Sequence, residues 1–184
     1  EEHVPPRPTD SFAHLLAAGR ATPADLRPAT DQTRRQVAFG LAWAARRDLL
    51  ERHGFYDAMI IGSGDRALLG AALGAFDEAT AVMELSSERR AHYLAWARAF
   101  HRSAQGRVGV VEGRLFHLWH GALADRRYRA RHQDLAAAGF DPLRHLRLSA
   151  SGAWDWTEAA PRSLRRMVGG YFAGRAEDGA PGGG

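Results

Sequence analysis

Three groups of residues in this 184-residue chain have types and spacing that could do chemistry. The first is Ile60-Ile61-Gly62-Ser63-Gly64-Asp65, an apolar stretch followed by a glycine turn and a carboxylate at a helix start. The glycines let backbone approach a ligand closely, and an ionised Asp65 within reach of a hydroxyl would accept its proton. The same carboxylate would also serve as the N-cap of the following helix, so both readings stand. The second group is Phe116-His117-Leu118-Trp119-His120-Gly121. Imidazoles at this spacing on a regular strand face opposite sides, so one could ligate a divalent metal while the other packs. The alternative is a pair of partly buried histidines tying a strand end to a loop. The third group is Arg126-Arg127-Tyr128-Arg129-Ala130-Arg131, whose guanidiniums could hold a diphosphate bidentately or form a solvated helix face. Trp43, Trp119, Trp154 and Trp156 could lie flat on a sugar ring or pack into the core.

The elements that must position these residues are mostly helices. Residues 1–36 carry Pro5, Pro6, Pro8, Pro23 and Pro28, which leaves room for one short helix around Ser11–Ala18 in a lid or linker segment. A helix over Arg46–Arg52 ends at Gly54, and Asp65 caps a helix over Arg66–Leu73 that Gly74 closes. Ser87–Ala104 is predicted helical, capped by a serine and burying Ala91, Leu94, Ala95 and Phe100. Val108–Trp119 reads as a strand, and Asp125–Ala138 as a helix with Gly139 and Phe140 as its left-handed end. Asp141-Pro142 breaks the chain, and Leu146, Leu148, Trp154 and Trp156 suggest a hairpin around Gly152. Pro161 opens a last helix burying Leu164, Met167, Val168, Tyr171 and Phe172 before a flexible tail over 176–184. So few strands make a poor sheet, which suggests that sheet-forming residues lie upstream of Glu1.

Composition narrows the function classes. With 45% hydrophobic residues the chain can pack one domain. The 25 basic residues, all Arg, are offset by 21 acidic ones, and the dispersed excess argues against a nucleic-acid footprint. No cysteine is present, so a metal here must use His, Asp or Glu. The longest apolar stretches fall far short of the roughly 20 residues that cross a bilayer, and no basic leader opens the chain. A soluble, cytoplasmic protein without a transmembrane segment is expected.

Phe39-Gly40-Leu41-Ala42-Trp43-Ala44-Ala45-Arg46-Arg47, then Gly54-Phe55-Tyr56-Asp57 running into Gly62-Ser63-Gly64-Asp65, then His117 to Gly121 followed by Arg126, Tyr128 and Arg131, occur in a telling order. Together with Phe140-Asp141-Pro142, Trp154, Trp156, Tyr171-Phe172, Arg175, Glu177 and Asp178, they resemble a bacterial, glycosyltransferase-2-like branch of the GT-A glycosyltransferases over about residues 36–178. The resemblance implies an α/β fold (α+β for this chain alone) in which residues 37–175 form the acceptor-side, carboxy-terminal half of a Rossmann-like nucleotide-sugar transferase. It implies that Asp65 is the acceptor-binding carboxylate and base, with Trp43, Gly62, Ser63 and Gly64 beside the acceptor. It further implies that His120, or else His117, completes a Mn2+ or Mg2+ site, and that Arg126 and Arg131 meet the diphosphate. The nucleotide-binding half with its Asp-x-Asp motif is not among residues 1–36, so the chain alone is expected not to turn over. The expected partners are a nucleotide-sugar donor and a saccharide or other hydroxyl acceptor. A non-catalytic carbohydrate-binding or interaction domain derived from the same fold is the alternative.

Overall fold

Small residues on a central helix decide how this chain packs. The structure is a computed structural model describing residues 9–27, 37–39, 42–116 and 123–175. Its helices are α1 (Phe12–Ala17), α2 (Arg47–His53), α3 (Gly64–Leu73), α4 (Phe76–Thr80), α5 (Ser87–Ala104), α6 (Ala130–Ala137), α7 (Pro142–His145) and α8 (Arg162–Ala173). Short 3-10 turns cover Pro23–Leu26 and Leu123–Arg126. Between α7 and α8, strands β1 (Leu146–Leu148) and β2 (Trp154–Trp156) pair antiparallel, with Leu146 opposite Trp156 and Leu148 opposite Trp154. The described residues are thus mostly helical with one two-stranded sheet, and no helix among them is long and apolar enough to cross a membrane.

Helix α3 joins three apolar clusters. Ala67 and Ala71 pack with Tyr93, Ala97 and Phe100 of α5, while Leu69 packs with Phe12, Leu26 and Ala79. Ile61, just before the helix, belongs to a third cluster with Leu135, Phe140, Leu164 and Tyr171. The glycine at position 70 lets α4 approach, since a Cβ there would lie 2.2 Å from the Cβ of Ala79. The turn before α3 is therefore anchored where the clusters meet.

Several expectations hold: a short helix, α1, lies within Ser11–Ala18, Gly54 and Gly74 end α2 and α3, Ser86 caps α5, and the tryptophan hairpin forms. After α6, Gly139 (φ 64°) and Phe140 close a Schellman motif through Gly139 N–H to Ala136 O (2.9 Å) and Phe140 N–H to Leu135 O (3.4 Å).

Other expectations are corrected. On α5 the buried face is Tyr93, Leu94, Ala97, Phe100 and Ala104, while Ala91 and Ala95 are exposed. Burying Tyr93 is permitted because its hydroxyl donates to Ala67 O at 2.8 Å. The helix expected over Asp125–Ala138 is broken at Arg127, whose φ of 43° lies outside the helical region and separates the 3-10 turn from α6. Phe172 is 48% exposed rather than buried. Residues 108–116 form no strand, and Val111, Leu115 and Phe116 are exposed. Nothing among the described residues pairs with them in a ladder, and an extended segment without a ladder partner is not a strand. The rest of that expected strand, with His117 and Trp119, lies outside the described residues, as do His120 and the tail 176–184.

Candidate functional site

The turn Gly62-Ser63-Gly64-Asp65 opens α3 with two unusual backbone angles, φ 104° at Gly62 and 70° at Ser63. A left-handed serine is uncommon and needs support from its surroundings. Ser63 is the N-cap residue, yet its side chain makes no capping bond. Its Oγ instead meets His132 Nε2 at 2.9 Å and accepts from Arg131 NH2 at 3.1 Å. The expected cap is corrected accordingly: Asp65 lies inside the first turn, where its Oδ1 accepts the N–H of Arg66 at 2.8 Å, and its side chain is exposed.

Arg131 and His132 come from α6 and are almost fully enclosed, at 7% and 1% exposure. The other terminal nitrogen of Arg131, NH1, donates to the Tyr171 hydroxyl at 2.7 Å, and that hydroxyl donates onward to the Arg126 carbonyl at 3.4 Å. The guanidinium also lies 4.9 Å from the centre of the Tyr128 ring. A charge-assisted bond of this kind contributes about 1.5–3 kcal/mol, so Arg131 acts as a strut between α6, α8 and the turn. Gly62 suits the place beside it, since its φ of 104° favours glycine and a Cβ there would lie 3.0 Å from both terminal nitrogens, so the guanidinium would have to shift by a few tenths of an ångström.

Burial, followed by the guanidiniums of Arg131, Arg89 and Arg66, pushes the His132 imidazole down to about 4, so it is neutral at neutral pH. Ser63 Oγ thus meets two groups at once, accepting from Arg131 NH2 and sharing a hydrogen bond with His132 Nε2 whose direction depends on the imidazole tautomer. The web is thus a chain of hydrogen bonds running from Arg131 through Ser63 to His132.

The structure brings together Gly62, Ser63, Gly64, Asp65 and Arg131, and Arg126 joins them through its backbone. Trp43 stands apart, 40% exposed on the approach to α2, and α2 packs on α5. A cleft of about 190 Å³ adjoins Tyr171, lined by Ala124, Asp125, Arg127, Gly170 and Gly174. No three His, Asp or Glu side chains among the described residues converge to hold a metal. His117 and His120 lie outside those residues, so the described side chains alone do not fit Mn2+ or Mg2+.

Sequence reasoning missed His132, which follows Arg131 directly and had no partner in view. The spacing of three between Tyr128 and Arg131 was a faint signal for their contact, although Tyr128 lies in the turn before α6. Comparison of the chain with protein-family models, with curated proteins and with solved structures yields no match.

Proposed function

We propose that this chain is the acceptor-side half of a GT-A glycosyltransferase, which transfers a sugar from a nucleotide-sugar donor to a saccharide or other hydroxyl acceptor. The observation that carries the reading is the braced turn: Ser63, Arg131 and Tyr171, from motifs separated by 68 and 40 positions, are joined by hydrogen bonds. These are the motifs on which the resemblance rests, and their union leaves the Asp65 carboxylate exposed at the start of α3. A rigid platform beneath an exposed carboxylate is what a positioned general base needs.

On this reading Asp65 accepts the proton of the acceptor hydroxyl as its oxygen bonds to the anomeric carbon. The bond from that carbon to the diphosphate breaks, and the nucleoside diphosphate leaves with the electron pair. Ser63, Arg131 and His132 hold the turn and take no part in proton transfer. Mn2+ or Mg2+, which would act as a Lewis acid on the diphosphate, belongs chiefly to the nucleotide-binding half, with His120 or His117 as this chain's contribution. The reading places the protein in the cytoplasm, where nucleotide sugars are the donors.

Asp65→Asn in the chain joined to its nucleotide-binding half tests the assignment. An amide cannot take a proton at neutral pH, and general-base loss lowers turnover by about 10²–10⁴-fold. Unchanged circular dichroism with turnover lost supports the role of base. Full turnover in the variant would reduce Asp65 to a residue of the helix start.

A further inference from the structure

Residues 109–116 have an unpaired main chain: among the described residues no backbone hydrogen bond involves them. Their apolar side chains are open as well, with Val111 at 93%, Leu115 at 56% and Phe116 at 74% exposure. Glu112 and Arg114 are also exposed, and neither forms an ion pair with a described residue. Free N–H and C=O groups beside open apolar side chains are a template for the addition of a strand.

The residue types around Gly113 are self-complementary. Outward from that glycine, Glu112 answers Arg114, Val111 answers Leu115 and Val110 answers Phe116. Two copies laid antiparallel about a two-fold axis at Gly113 would set each Glu112 against Arg114 of the other copy, with Val110 and Phe116 on the same face. Val111 and Leu115 would meet on the opposite face. Opposite-charge and apolar pairs stabilise an antiparallel ladder, whereas like charges directly opposite weaken it. Moving the axis by one residue sets Glu112 against Glu112 or Arg114 against Arg114, and a parallel in-register pair does both, so one register is selected over its neighbours. The chain bends at Gly113, with φ 156°, and a Cβ there would meet nothing in this chain. A glycine opens such a bend at small cost and lets a second backbone come close.

We propose that residues 110–116 are a self-association site, at which two copies of this chain pair as antiparallel strands about Gly113. The interface is isologous: one segment supplies both sides, and the assembly closes at two copies. A ladder over residues 110–116 is small against the about 1,200–2,000 Å² of a standard interface, so the dimer is weak and depends on concentration. The site shares no residue with the turn that carries Asp65 and does not depend on the sugar-transfer reading.

The test is sedimentation of the 184-residue chain from about 1 μM to about 1 mM, with hydrogen exchange of residues 110–116 followed over the same range. Wild type should pass from monomer to dimer, and amide protection in 110–116 should rise with it. Glu112→Arg alone and Arg114→Glu alone each place like charges opposite one another at both ends of the ladder, and each should weaken the dimer at least about 10-fold. An equimolar mixture of these two variants restores opposite charges at both positions and should form a heterodimer where neither variant pairs with itself. Glu112→Arg and Arg114→Glu combined in one chain should dimerise as wild type does. Arg98→Glu, which reverses an exposed charge on α5, controls for net charge and should leave the dimer unchanged. A wild type that stays monomeric throughout, an undiminished dimer in either single variant, or a mixture that does not associate would overturn the proposal. Protection of 110–116 only when the nucleotide-binding half is joined to the chain would assign the segment to that half and would overturn it too.

Discussion

Acidification should weaken this protein through His132, by an amount the structure sets. In the unfolded chain this imidazole takes up a proton near 6.5, whereas in the fold it does so only near 4. Between those values the unfolded state holds more protons, so stability falls as pH is lowered. The contribution is fully present above pH 6.5 and gone below pH 4. At about 1.4 kcal/mol per pH unit, the window amounts to about 3 kcal/mol, and for a chain of this length that is roughly 6–12 °C in melting temperature. Burial also lowers His92 and His145, so the wild-type curve contains more than one histidine. Comparison with His132→Gln isolates the share of His132, since glutamine offers Ser63 a polar partner but does not titrate. Thermal unfolding is followed from pH 7 to pH 4 in buffers free of phosphate and carboxylates. The two melting curves should converge as pH falls, with the variant losing less. Parallel curves across the window would show that His132 is solvated, and the enclosed web would be wrong.

Two further outcomes follow from the packing and from the metal assignment. Gly70→Ala would push a methyl to 2.2 Å from the Cβ of Ala79 and 3.1 Å from Ala75 O, contacts that backbone cannot relieve cheaply. It should cost about 1–3 kcal/mol in denaturant unfolding, and a neutral result would mean that α3 and α4 are further apart. Mn2+ titrated into the isolated chain should bind weakly, since an imidazole without carboxylate partners holds a labile divalent ion poorly. Tight stoichiometric binding by calorimetry would mean a self-contained metal site and would sink the half-site account.

What could be read in the sequence was local. Glycines at helix ends, Ser86 as a cap, Asp141-Pro142 as a break and the tryptophan hairpin follow from backbone chemistry within a few residues. The errors came from tertiary choices. Tyr93 faces inward because a backbone carbonyl 26 positions away accepts its hydroxyl, and periodicity does not report that partner. Asp65 was expected to cap α3, but Ser63 occupies the N-cap with its own oxygen turned to Arg131 and His132 from far along the chain. Val108–Phe116 has strand-like composition, yet composition supplies no ladder partner, and the segment stays irregular, with Val108 packed on the Phe12, Leu26 and Leu69 cluster and residues 111–116 exposed. The glycine turn was visible from its spacing; the buried cations behind it were not, because arginines on a helix read as a solvated face.

The central claim, that this chain is one side of a sugar-transfer site, is tested most directly by assaying nucleoside diphosphate release. The chain alone and the chain joined to the nucleotide-binding half that the reading requires are each given a panel of nucleotide sugars with and without hydroxyl acceptors. The account predicts acceptor-dependent release from the joined protein and none from the chain alone. Release by the chain alone, or a joined protein that folds cooperatively and stays inert with every donor and acceptor, would contradict it.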